Sequence, residues 1–282
     1  MIPKQKDPFI KNAIYLSYTS LSDFLKCPRS YYLKNIYRDP KTGFRIQIAS
    51  PYLSLGSTVH DSVKWYLEMR GQVTKKQLED KFRNLWLKYR GKRGGFESRE
   101  QEAEFGKRGL KMLDNFFTNA QILEKITHKV DFPKLNLFED VILMGNFDFV
   151  GEKEDGTLHV LDFKTGAKDE KDPLQLYIYA ILAEANLSKP VSSASFWYLD
   201  REDKPKEIVL DPLEPKLEWV KSKAKELKEV IGKGEWVCIK NDALNGASCR
   251  DCKDYQAIVD GKGEFQFTDF RYKKDVYYLQ KL

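Results

Sequence analysis

Cysteine is scarce in this chain: four residues in 282. Long apolar runs are missing. No window approaches the roughly 18 consecutive apolar residues of a membrane span. The opening MIPKQKDPFIKNAIYLSYTS has no sustained apolar core and does not read as a secretion signal. These absences predict a cytoplasmic chain without a membrane partner, whose cysteines are reduced or metal-bound instead of disulfide-bonded. The phosphate-binding pattern GxxxxGK(S/T) is absent too, so any motor activity has to come from a partner.

The chain is 41% hydrophobic and 13% aromatic, enough for a sizeable core in one large domain or a core with an insertion. Its formal net charge of +6 permits nucleic-acid binding without requiring it.

Residues 145–179, GNFDFVGEKEDGTLHVLDFKTG…DPLQLYIYA, form the most informative stretch. Segments 145–150 and 157–164 read as short strands with an Asp155-Gly156 turn signal between them. The side-chain period of 2 puts Asp162 and Lys164 on one face of the second strand and His159, Leu161 and Phe163 on the other. Register then matters. A two-residue Asp155-Gly156 loop pairs Phe149 with Asp162, whereas a three-residue loop ending in Gly156 at positive φ sets Asp148 across from Asp162. Two facing carboxylates call for a neutraliser. A divalent cation with oxygen ligands and a solvated Asp–Lys ion pair both satisfy these two strands. Asp172-Pro173 then starts a helix, placing Gln175 and Tyr179 four apart on one face, with Leu174, Ile178, Ile181 and Leu182 as its apolar stripe. Taken by itself, Gln175 fits the N3 position of a capping box begun by Asp172.

Upstream, residues 1–16 look like a loosely held lead-in. A helix begins at Ser20 and carries Cys27-Pro28-Arg29-Ser30-Tyr31-Tyr32, which Pro28 kinks or divides. Residues 38–54 read as mixed loop. Leu55-Gly56-Ser57-Thr58-Val59-His60 opens another helix with Ser57 as its cap. Thr74 and Gln77 predict a capping box for a third helix over 74–89. After it, 90–95 (RGKRGG) reads as a flexible loop whose Arg90, Lys92 and Arg93 could contact phosphates, or as a solvated linker. A fourth helix over 98–123 and a strand over 125–137 follow. Downstream, 192–199 and 206–210 read as strands and 214–231 as an amphipathic Lys-rich helix. The tail holds Cys238, Cys249 and Cys252, and ends in 264–282, which is dense in Phe, Tyr and Lys.

Strand, hairpin, strand and helix carrying D, D-x-K and Q-x-x-x-Y in that order resemble the PD-(D/E)XK nucleases, in particular the RecB-like branch (the AddB and CRISPR-associated types). The Cys27-Pro28-Arg29 opening, the Gly56–His60 motif and the distal cysteines resemble the same branch. No single motif is specific; their order and spacing are. The resemblance implies an α/β fold with a restriction-endonuclease-like core, a central mixed sheet flanked by helices. Around it would stand an N-terminal helical cap (1–124), the nuclease core (125–235) and a cysteine-clasped C-terminal tail (236–282) on the same domain. It implies Mg²⁺ or Mn²⁺ on Asp148, Asp162 and the carbonyl of Phe163, with His60 as a further ligand. Lys164 would orient the attacking water, and Gln175 and Tyr179 would position the DNA backbone or the metal's waters. Cys27 with Cys238, Cys249 and Cys252 would hold a [4Fe–4S] cluster, with zinc or no metal as alternatives. One departure stands out: the usual spacing puts the last cysteine where this chain has Ile258, so Cys238 has to replace it. The implied activity is metal-dependent exonucleolytic hydrolysis of DNA at single-stranded ends, in recombination, repair, phage DNA metabolism or CRISPR adaptation, beside a helicase or other partner. A silent DNA- or helicase-binding module of the same fold and a structure-specific endonuclease are the competing readings.

Overall fold

The computed structural model describes residues 13–123, 125–238 and 249–280. In chain order the elements are β1 (Ile14–Leu16), α1 (Tyr18–Lys26), α2 (Pro28–Tyr31), a π-helical turn (Tyr32–Ile36), β2 (Arg45–Ile48), α3 (Pro51–Glu68), α4 (Lys75–Trp86), α5 (Arg99–Asn119), β3 (Ile126–Thr127), β4 (Lys134–Phe138), β5 (Val141–Met144) and β6 (Phe149–Glu152). Then come β7 (Leu158–Lys164), α6 (Leu174–Leu187), β8 (Val191–Tyr198), β9 (Lys206–Ile208), α7 (Leu213–Lys233), α8 (Arg250–Val259), β10 (Glu264–Asp269) and β11 (Lys274–Tyr278). The result is a mixed α/β protein, consistent with a restriction-endonuclease-like fold. It divides into two compact units, one built from 1–18 with 112–229 and the other from 19–111 with 230–282. No helix among the described residues is long and apolar enough to cross a membrane.

The first unit is organised around β7. Six of its seven residues are buried, as a strand covered on both faces requires. It pairs antiparallel with β6 and parallel with β8, in a sheet ordered β3-β6-β7-β8-β9. Parallel neighbours need a crossover, and α6 supplies it, packing on β7 and β8. That helix is largely apolar, with Leu174, Leu176, Ile178, Ile181 and Leu182 buried, so Gln175 and Tyr179, one turn apart on one side of it, stand out. The β6–β7 turn takes the three-residue form. Lys153 N–H donates to the Thr157 carbonyl at 2.8 Å, Gly156 has φ +79°, and Phe149 pairs with Leu161.

A second sheet in this unit, β1-β5-β4, shows two differences from the sequence reading. Residues 14–16 are not lead-in: they pair parallel with β5, while residues 1–12 of that segment lie outside the described residues. The strand expected over 125–137 is two strands in different sheets, β3 and β4, with β5 as a hairpin partner of β4 that the sequence pattern did not announce.

In the second unit Pro28 divides the first helix, leaving Cys27 extended at φ −172° as the N-cap of α2. Helix α3 begins before the expected Ser57: Ser50 is its N-cap and Pro51 its first residue. Proline there gives up an N–H that has no partner anyway, so the helix starts where the stronger signal lies. The stretch 38–54 is accordingly not all loop, since it holds β2 and the start of α3. Thr74 and Gln77 form the expected capping box on α4. The aromatic C-terminal stretch is a β10–β11 hairpin whose second strand runs parallel to β2.

Candidate active site and cysteine cluster

Two residues apart on β7, Asp162 and Lys164 emerge on one face of the sheet. Phe163 turns the opposite way, packing at 5.5 Å edge-on to Phe116 and 5.8 Å from Trp197. Aromatic packing on one side of the strand thus fixes the polar pair on the other.

Asp162 is 3% exposed. A carboxylate so buried needs partners for its charge. Its Oδ1 accepts from Gln175 Nε2 at 2.7 Å, and its Oδ2 meets Lys164 Nζ at 3.0 Å. Lys164 also donates to Gln175 Oε1 at 2.6 Å, lies 3.5 Å from Glu170, and sits over the Phe196 ring. Gln175 Nε2 reaches Tyr179 Oη at 3.1 Å. Gln175 and Tyr179 share a face of α6 because they are one turn apart.

Asp148 immediately precedes β6. The β6–β7 register, continued by one residue, places it across from Asp162. Its Oδ2 accepts the Phe163 N–H at 2.9 Å, where a continued ladder would have supplied a backbone acceptor. Because N–H and C=O of one strand residue face the same edge, the Phe163 carbonyl lies along the edge where Asp148 stands.

Burial pulls the Lys164 ammonium down, but Asp162, with Glu170 and Tyr18, outweighs it and holds Lys164 above the ordinary lysine range. Burial, reinforced by the charges of Asp162 and Asp148, pushes the Tyr179 hydroxyl up, so it stays neutral. Tyr18 is raised as well, by burial first and then by Glu170. Tyr18 and Glu170 carried no signal in the sequence, since neither belongs to the strand–helix pattern. Two carboxylates and a backbone carbonyl are hard oxygen donors, a set that suits Mg²⁺ or Mn²⁺.

One expectation is corrected here. Gln175 does not serve a capping box: Pro173 is the N-cap of α6, and Asp172 Oδ1 accepts from Leu174 N–H at 2.9 Å. With the helix starting one residue late, the Gln175 amide is engaged by Asp162, Lys164 and Tyr179 instead.

His60 lies half-buried on α3, in the second unit. The 90–95 segment, expected as a flexible loop, contains a 3₁₀ turn over Gly91–Gly94 with Gly94 and Gly95 buried. A Cβ on Gly95, whose φ is +82°, would stand 2.6 Å from Ser50 N. Lys92 pairs with Glu264 at 2.7 Å, and Arg93 lies over Phe267 while donating to the Lys88 carbonyl. Arg90 makes no ion pair or hydrogen bond among the described residues.

Within the second unit Cys27, Cys238, Cys249 and Cys252 converge, all four sulfurs lying within 4.8 Å of one another and all four residues buried. Cys252 Sγ is 3.3 Å from Cys27 Sγ and 3.1 Å from Cys249 Sγ, and Cys249 N–H donates to Cys238 Sγ at 3.4 Å. Cys27 and Cys249 occupy the N-caps of α2 and α8. Burial pushes the Cys27 and Cys252 thiols up, so without a cation they are protonated and no anion is stranded in the core. Zn–S bonds of about 2.3 Å in a tetrahedron set sulfurs roughly 3.8 Å apart, inside the observed spread. Ile258, at the position where the usual spacing has a cysteine, is buried. Cys238 completes the set of four.

The chain matches the model of the PD-(D/E)XK nuclease superfamily over residues 15–258, and it belongs to that superfamily. Membership implies a nuclease: a phosphodiester hydrolase, generally dependent on a divalent metal, with DNA as substrate. No curated protein matches the chain.

Proposed function

We propose that this protein is a Mg²⁺- or Mn²⁺-dependent deoxyribonuclease of the RecB-like branch that removes nucleotides from single-stranded DNA ends. The observation that carries this reading is the closed network of Asp162, Lys164 and Gln175, with Asp148 at the facing register position. A carboxylate and an ammonium buried together at a strand end are expensive to keep for stability alone.

Asp148, Asp162 and the Phe163 carbonyl would hold the ion; the resemblance alone nominates His60. Bound there, a divalent ion supplies Lewis-acid polarisation of the scissile phosphate and an acidified water. The chain's own groups do the rest. Lys164, kept as an ammonium by Asp162, orients the attacking water and offsets the charge that builds on the phosphate oxygens. Gln175 holds Asp162 and Lys164 with one amide, so neither rotates away. Tyr179 accepts from Gln175 and keeps its own proton to donate to a phosphate oxygen. The four cysteines clasp the tail to α2 around metal, a [4Fe–4S] cluster by resemblance or one Zn²⁺ by the spacing of the sulfurs. Recombination, repair, phage DNA metabolism or CRISPR adaptation, in the cytoplasm and beside a helicase or other partner, is the setting that fits such an activity.

The test is cleavage of end-labelled single- and double-stranded DNA with Mn²⁺ or Mg²⁺, wild type beside Lys164→Ala. Metal-dependent cutting that the substitution abolishes, with products growing from one end, is the expected result. Protein that binds DNA yet cuts nothing when prepared without air would sink the proposal and leave a binding module.

A further inference from the structure

The second unit carries a pocket of about 630 Å³, remote in sequence from the β7 motif and lined by Trp86, Arg90, Gly91, Arg99, Glu102, Ala103 and Gly106. That volume lies within the range of small-molecule sites. Its chemistry is unbalanced in one direction. Among the described residues, the guanidinium groups of Arg90 and Arg99 make no ion pair or hydrogen bond, and neither does the indole N–H of Trp86. The one acid of the lining, Glu102, is engaged with the backbone, accepting Gly91 N–H at 2.9 Å. That bond ties the 3₁₀ turn next to Arg90 to helix α5, so Arg90 projects from a fixed backbone. Trp86 is held as well, stacked on Phe82 at 5.5 Å and tilted against Phe96 at 5.5 Å. The indole edge faces Gly106 of α5, and Ala103 is a second small residue of the lining. A Cβ on Gly106 would meet nothing nearer than Trp86 Nε1 at 3.7 Å. Two unpaired cations, an unpaired donor on a rigid aromatic and a wall of small side chains specify a ligand that is anionic at one end and flat at the other.

We propose that this pocket is a nucleotide subsite, in which Arg90 and Arg99 hold a phosphate and a base lies against Trp86. Guanidinium groups suit phosphate because their planar donors match its oxygens, and aromatic faces take any base. The choice of a nucleotide over another flat anion rests on the nuclease reading. The same chemistry is offered by a nucleotide within a single strand and by a free nucleotide.

Binding without metal separates the two sources and keeps the test independent of cleavage. Anisotropy of a fluorescein-labelled oligo-dT and calorimetry with dAMP would be measured on the full chain, on Arg90→Ala/Arg99→Ala and on Gly106→Leu. A Cβ at Gly106 makes ordinary van der Waals contact with the Trp86 edge and leucine favours the helix, so the larger side chain takes up space beside the indole. Circular dichroism on the same preparation checks that the fold is kept. If the subsite serves the strand, both variants bind the oligonucleotide about tenfold more weakly, and the double arginine variant lowers the slope of log affinity against log salt by about 1.4. If dAMP binding is lost while the oligonucleotide is unaffected, the nucleotide subsite stands and its ligand is the free nucleotide. If the wild type binds neither probe, or Gly106→Leu binds both as tightly as the wild type, the proposal is overturned. Cleavage abolished by Lys164→Ala together with unchanged binding by Gly106→Leu would leave the nuclease reading intact and remove this one. Weakened binding with no cleavage would do the reverse.

Discussion

Gln175 donates to Asp162 Oδ1 at 2.7 Å and accepts from Lys164 at 2.6 Å, so a single amide on α6 fixes both charged groups of β7. The relation is directional. The amide offers its N–H to the carboxylate and its oxygen to the ammonium, from two separate atoms held in one plane.

Gln175→Leu removes both bonds while keeping the apolar packing of α6. The expected result is a fall in Mn²⁺-dependent cleavage of about 10–100-fold with the fold retained. Cleavage rate and circular dichroism on the same preparation check it; an unchanged rate would mean that Gln175 only fills space.

Lys164→Met takes from the buried Asp162 the ammonium 3.0 Å from its Oδ2 and destabilises the protein by about 1–3 kcal/mol. Because a bound cation would replace the lost ammonium, Mn²⁺ should raise the melting temperature of the variant more than that of the wild type. Equal shifts would argue that Asp162 is not a metal ligand.

Cys238→Ala should lose retained metal as completely as Cys249→Ala, since both sulfurs belong to one group within 4.8 Å. Elemental analysis of anaerobically purified protein measures this and identifies the metal as iron with sulfide or as zinc. Full metal content in Cys238→Ala would exclude it from the ligand set.

Gly95→Ala combines a φ of +82° with a Cβ 2.6 Å from Ser50 N, so backbone has to move. A loss of more than about 1 kcal/mol is expected from denaturant unfolding. Gly43→Ala, also at positive φ but with open space around its Cβ, should cost less.

Glu152 accepts from Lys189 and from His128, and these bonds hold its carboxyl below the usual range. A depressed carboxyl adds stability above its unfolded value and loses it as pH falls through the folded one. Relative to Glu152→Gln, the wild type should therefore keep its advantage near neutral pH and lose it below about pH 4. Melting temperatures of the two proteins across that range give the answer.

Much of this protein was legible from local rules. The period of 2 put Asp162 and Lys164 on one face, Gly156 at positive φ allowed the three-residue turn, Pro28 broke the first helix, and Thr74 with Gln77 capped α4. Each depends on residues within a few positions of one another, where sterics and hydrogen-bond chemistry are set by the chain alone. The rest depended on residues far apart. Strand β5 exists because β1 and β4 flank it, and Gln175 left a capping role open to it when strand β7 offered its amide two charges. Residues 90–95 looked like linker until the C-terminal hairpin took up Lys92 and Arg93 and left Arg90 facing the Trp86 pocket. The resemblance names Cys238 as the fourth cysteine, and the fold brings it within 4.8 Å of the other three. Two of those, Cys27 and Cys249, are placed by where helices α2 and α8 begin. The sequence alone determined which chemistry was present; tertiary structure decided which groups met, because burial makes a charged or polar group take whatever partner the fold brings within reach.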